Sequence, residues 1–196
     1  MVMKVLTIVL VVLAVLFAIS QVWAQSQVSG IEEYPYTILK DMGDVEIRKY
    51  EQANFIYATM DASSYEQNSG RGFGILAGYI FGGNERQQKI AMTSPVELEM
   101  DEKITMKFLI PSQYKMEDMP KPDDVQVQFK TEAERTMAAI TFGGFADDAK
   151  IEHHKEKLLD RLAEEGIAHT GQWSFMGYDP PFKLYNRRNE VVVELE

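Results

Sequence analysis

At 196 residues, with 45% hydrophobic and 26% charged side chains, the chain is long enough for one domain with a sizeable core and too apolar for disorder to be the default. Its 30 acidic against 20 basic residues give a net charge of −10, a surface that repels a phosphate backbone and argues against general nucleic-acid binding. With no cysteine there is no disulfide, no thiolate nucleophile, no cysteine-ligated zinc and no acylated-cysteine anchor.

The first element is apolar. Lys4 precedes an uncharged run over residues 5–19, then Ser20 to Ala24 and a polar stretch at 25–30. A basic start, an apolar run and a small-residue end describe a signal peptide, with Val22 and Ala24 at the small positions before a cut after Ala24. Counting Val22 and Trp23, the run approaches the length of an uncleaved anchor. Residues 1–24 therefore read as a signal peptide or membrane anchor and 25–33 as a linker to a domain at 34–196. Either way the domain is exported: periplasmic, secreted, or tethered to the membrane by residues 5–23.

Alternating residues predict strands around Tyr36–Ile38, Val45–Ile47 and Phe55–Tyr57, with a turn at Asp41-Met42-Gly43-Asp44. Phe73, Leu76, Ala77 and Ile80 then recur at helical spacing, predicting a helix over 69–81 that ends at Gly82-Gly83-Asn84. Strands follow at 89–100 and 103–110, and Pro111 to Asp124, with three prolines, reads as a crossover. Val125, Val127 and Phe129 begin a second series, with a strand at 137–142, a helix at 147–166 and strands near 172–178 and 190–195. Strand, strand, helix, strand, strand occurs twice, in 36–110 and 125–195, so the expected class is α+β: duplicated ββαββ-type halves, mainly antiparallel.

The block K-I-A-M-T-S-P-V at 89–96 follows G-Y-I-F-G-G-N at 78–84, and V-E-I-R-K-Y-E (45–51), Y-D-P-P-F (178–182) and N-E-V (189–191) complete a set in order. Across residues 33–196 this set resembles the SOUL haem-binding family. The resemblance implies a distorted eight-stranded barrel with two flanking helices. It also implies non-enzymatic binding of haem, or of metal-free porphyrin, in a hydrophobic groove against the first helix. Structural roles stand beside this: Met92, Thr93 and Pro95 shape a strand and turn, and Asn189 and Glu190 start the last strand.

On the first helix, Phe73, Leu76, Ala77 and Ile80 define a core face, whereas Ile75 and Tyr79 fall nearly opposite, beside a strip of Gly70, Gly74 and Gly78. An apolar, smooth outer face suits a flat macrocycle, a partner protein, the membrane or another amphipathic effector. Arg71, Arg86, Lys89 and Arg187-Arg188 are candidate partners for propionates, because the guanidinium fork matches a carboxylate. Met92 and Tyr178, the latter on a rigid proline loop, complete the candidate binding set. No metal ligand is assigned. Met92 and Tyr79 carry donor atoms and His154 is a weak candidate, while the N-terminal histidine of one family branch has no counterpart before His153. No catalytic constellation stands out; Glu97, Glu99 and Tyr114 are the lowest-ranked actors for hydrolysis.

Overall fold

A computed structural model describes the backbone of residues 2–28, 30–61 and 64–196, and the side chains of residues 4–17, 19–21, 30–61 and 64–196. The side chains of Val22, Trp23 and Ala24, at the expected cut, lie outside the described residues. Helix α1 (Val2–Val28) takes up the apolar N-terminal run. Its described large apolar residues from Val5 to Ile19 are all 47–63% exposed, so the helix is apolar all round and nearly bare of protein contacts. The window Lys4–Gln21 is long and apolar enough to cross a membrane, a test that signal sequences also pass.

Strands β1 (Glu32–Glu33), β2 (Tyr36–Asp41), β3 (Val45–Tyr50) and β4 (Ala53–Met60) precede helix α2 (Tyr65–Ile80). Then come β5 (Thr93–Ser94), β6 (Val96–Met100) and β7 (Ile104–Leu109), and a crossover whose one helical turn is a 3-10 turn at Met116–Asp118. β8 (Gln128–Glu132), β9 (Arg135–Phe142), α3 (Asp148–Glu164), β10 (His169–Gly177) and β11 (Asn189–Leu195) complete the chain. Side-chain caps open both domain helices: Ser64 accepts from Gln67 N, and Asp147 from Lys150 N. The Ser64 cap starts α2 four residues before the predicted Ser69.

The fold is α+β and mainly antiparallel, with two flanking helices, as expected. Nine strands, rather than eight, form one sheet in the order β2-β3-β9-β11-β10-β6-β7-β4-β8, curled into a half-barrel whose edges are β2 and β8. β1 and β5 pair in parallel beside it. Apart from the extra edge strand β2, the order is matched about the β10–β6 pair, with α3 connecting β9 to β10 and α2 connecting β4 to the β5–β6 region. That symmetry of pairing does not establish residues 36–110 and 125–195 as repeats.

Period-two alternation divides the sheet into two buried faces. One face carries Ile56, Ala58, Leu98, Met106, Phe108, Ile140, Phe175 and Val191 against Leu76, Ile80, Ile151, Leu158 and Leu162 of the two helices. The other collects Tyr34, Tyr50, Phe55, Met137, Met176, Tyr178 and Val192.

Candidate functional site

Helix α2 is turned about its axis relative to the reading from apolar spacing. Tyr79, expected to face outward, is 2% exposed. Its hydroxyl donates to Pro120 O at 2.8 Å, and its ring meets Phe129 edge-on at 5.8 Å. Burial pushes the phenol up to about 12, so it stays neutral and able to donate. Ile75 is half-buried against the same core, and Phe73, expected inside, is 39% exposed while its ring lies 5.4 Å from that of Phe108. Two long-range contacts set this rotation. The crossover brings Pro120 O to the Tyr79 hydroxyl and packs Met116 and Met119 against the same core, and Gly72 faces the sheet so closely that an added Cβ would stand 2.7 Å from Met60 Sδ.

The outward face of α2 is the glycine strip. Nothing lies within 4 Å of where a Cβ would stand on Gly70, Gly74 or Gly78. Phe73 borders the strip on one side, and Phe81, 63% exposed, closes its C-terminal end. Beyond Phe81 the chain stops in a Schellman turn: Gly83 N donates to Gly78 O, Gly82 N to Tyr79 O, and Gly82 has φ +115°. Buried Asn84 organises the turn, donating to Tyr79 O and Gln88 O and accepting from Arg86 N and Gln88 N.

The candidate cations divide by how far they are already engaged. Arg71 on α2 and Lys89 after the turn are exposed. Arg86 is half exposed, donates to Asp118 O at 3.1 Å and pairs with Glu85 at 3.6 Å. Arg187 donates to the carbonyls of Asp179, Pro180 and Lys183, and Arg188 is bonded to Glu190, so both are committed to the loop before β11. Met92 is half-buried against the helix-bearing core. Tyr178 belongs to the other face: its hydroxyl donates to Glu190 at 2.7 Å, and the Arg188 guanidinium lies 3.8 Å from its ring centre. His154 on α3 stacks on Phe142 at 4.2 Å, with Nδ1 2.7 Å from Lys150 O. Among the described residues no group of three or more His, Cys, Asp or Glu is placed to hold a metal ion.

A second concentration of polar groups, of which the sequence singled out Glu97, Glu99 and Glu190 but not their partners, lies on the sheet face away from the helices. Glu97, Lys107 and Glu190 are almost fully buried. Lys107 Nζ lies 2.8 Å from Glu97 and Glu99 and 2.9 Å from Glu132, while Arg135 bridges Glu97 and Glu132 and Ser174 donates to Glu97. Burial alone would raise the Glu97 carboxyl, but the adjacent Lys107 and Arg135 charges overcome it and hold the group at about 2. In a separate cluster Glu190 accepts from Arg48, Arg188, Tyr178 and Thr141, and it too is held below the usual carboxylate range against its burial. Glu97 and Glu190 are enclosed, and each is held by several donors. The arrangement suits a scaffold rather than the hydrolytic role weighed for Glu97.

Comparison with known proteins bears on the chain as a whole. The SOUL heme-binding protein family matches residues 31–194. Heme-binding protein 1 of Xenopus laevis is 32% identical over 160 residues, covering 78% of this chain and 84% of that protein. Heme-binding protein 2 of Homo sapiens is 32% identical over 158 residues, covering 76% and 77%. Among solved structures, the EcmrR C-terminal domain superposes with a TM-score of 0.60 at 8% identity, covering 82% of this chain and 98% of that one. A hydrolase from Listeria innocua superposes at 0.52 and 8%, covering 88% and 96%. At such identities these two likenesses concern the fold alone.

Proposed function

The chain belongs to the SOUL heme-binding protein family, and from that premise we propose that it binds haem or a related tetrapyrrole non-covalently on the outward face of α2. The observation that supports the place is the open strip of Gly70, Gly74 and Gly78, a cradle that any Cβ would fill, bordered by Phe73 and Phe81. A flat macrocycle gains most where side chains do not hold it off the backbone, and the bordering rings add apolar area. Arg71 is the cation best placed to meet a propionate from this face. Tyr79 and Tyr178 serve the fold in this reading, and no protein iron ligand is assigned. The role is binding without catalysis, in carriage, buffering or storage outside the cytoplasm, with α1 as signal or tether to a domain at 34–196.

Gly74→Leu tests the reading. The substitution enters open space and replaces glycine with a strong helix former, so Tm should hold or rise. Titrations of hemin and of protoporphyrin IX, followed by absorbance and tryptophan quenching, should weaken at least tenfold. Unchanged affinity for both ligands in Gly74→Leu would remove α2 as the site; no saturable binding by the unsubstituted chain would remove tetrapyrrole binding altogether.

A further inference from the structure

The loop between β10 and β11 is built with inverted polarity. Its cationic side chains turn inward: Lys183 is buried on Asp179 at 2.6 Å, Arg187 is spent on three loop carbonyls, and Arg188 reaches Glu190. Its exposed residues include three large apolar side chains, Phe182, Leu184 and Tyr185, at 48%, 46% and 51% exposure, besides Pro181 and Asn186. Phe145, 48% exposed, extends the patch, since the Arg187 guanidinium lies 4.4 Å from its ring centre. Single exposed apolar residues are ordinary, but three on a loop that turns its cations inward, with a fourth beside it, are not.

The loop also sits at a defined level. Leu184 N donates to Oε1 of Gln21, and Gln21, itself buried, is the last residue of the apolar window Lys4–Gln21. Eighteen helical residues rise about 27 Å, close to the thickness of a bilayer's hydrocarbon layer. A helix that crosses the membrane over that window therefore brings Gln21 out at the surface, with Leu184 bonded to it at the same height. Tyrosine, phenylalanine and leucine are side chains that settle at that depth, and the Arg187 guanidinium stacked on Phe145 suits the headgroup level.

We propose that residues 182–185, with Phe145, rest in the headgroup layer of the bilayer that α1 spans, so that the domain lies against the membrane instead of hanging from a free linker. The proposal rests on α1 being retained as the tether and not on tetrapyrrole binding. Because the chain has no cysteine, Leu184→Cys, Tyr185→Cys and Val125→Cys each offer one labelling site, Val125 being 90% exposed in the crossover. The full chain, spin-labelled at each site in turn, is reconstituted without hemin in vesicles of phosphatidylcholine and phosphatidylglycerol. Labels at 184 and 185 should be several-fold less accessible to a water-soluble nickel chelate, and more accessible to oxygen, than the label at 125. Equal accessibility at the three positions overturns the proposal, as does protection accompanied by the spin–spin broadening of a second copy. An intact mass of the membrane-extracted protein that lacks residues 1–24 overturns it independently.

Discussion

Gly72 and Gly74 sit two residues apart in one helix and answer to opposite constraints. A Cβ on Gly72 meets Met60 Sδ at 2.7 Å and Met106 Cε at 3.2 Å, whereas Gly74 meets nothing within 4 Å. Gly72→Leu should therefore overpack the core and cost about 1–3 kcal/mol in urea unfolding. Gly74→Ala removes backbone freedom from an exposed helix interior and should add up to about 1 kcal/mol. Tyr79 allows a similar separation of roles. Tyr79→Phe leaves the carbonyl of Pro120 without its buried donor, so stability should fall by about 1–3 kcal/mol while hemin affinity is unchanged. A loss of affinity without a loss of stability would return Tyr79 to the binding face.

At the scale of elements, α2 owes its position to segments distant in sequence. Its existence follows from Phe73, Leu76, Ala77 and Ile80, and its end from Gly82-Gly83-Asn84; both are local signals, and both are found in the structure. Its rotation is not local. It depends on the crossover covering Tyr79 and on the methionines of β4 and β7 meeting Gly72, and neither contact leaves a mark on the periodicity of the helix itself. Strand β6 misleads for a related reason. V-E-L-E-M alternates as a strand with one wet face would, yet the curl of the sheet encloses Glu97 on the face away from the helices. The Gly82–Gln88 turn carries the next prediction. Asn84→Ala removes the side chain that bonds Tyr79 O, Gln88 O, Arg86 N and Gln88 N, so the cost should approach about 2 kcal/mol. Because Phe81 sits at that helix end, tetrapyrrole affinity should weaken with it, measured by titration at a temperature where the variant remains folded.

The whole molecule is held, on the sheet face away from the helices, by carboxylates that must stay ionised. Glu97, Glu132 and Glu190 are each held below their ordinary value, because neighbouring cations outweigh the effect of burial. In the unfolded chain these groups protonate near pH 4.5, so below that pH the unfolded state takes up protons that the folded state refuses. The stability they contribute is complete above about pH 4.5 and is lost as pH falls through their folded values, which for Glu97 is about 2. Each group contributes a slope of at most about 1.4 kcal/mol per pH unit between its unfolded and folded values, and the three act in the same direction, against a total stability of only about 5–15 kcal/mol. Tm should accordingly be level between pH 6 and 8 and fall steeply below pH 4.5. Lys107→Met removes the buried ammonium that Glu97 and Glu132 share, leaving Arg135 as their remaining common cation, and should cost about 3 kcal/mol at pH 7. It should also flatten the acid limb, since carboxylates that lose the ammonium no longer titrate so far below their unfolded values. A variant that kept both the full stability and the full acid slope would show that these ion pairs do not carry the pH dependence.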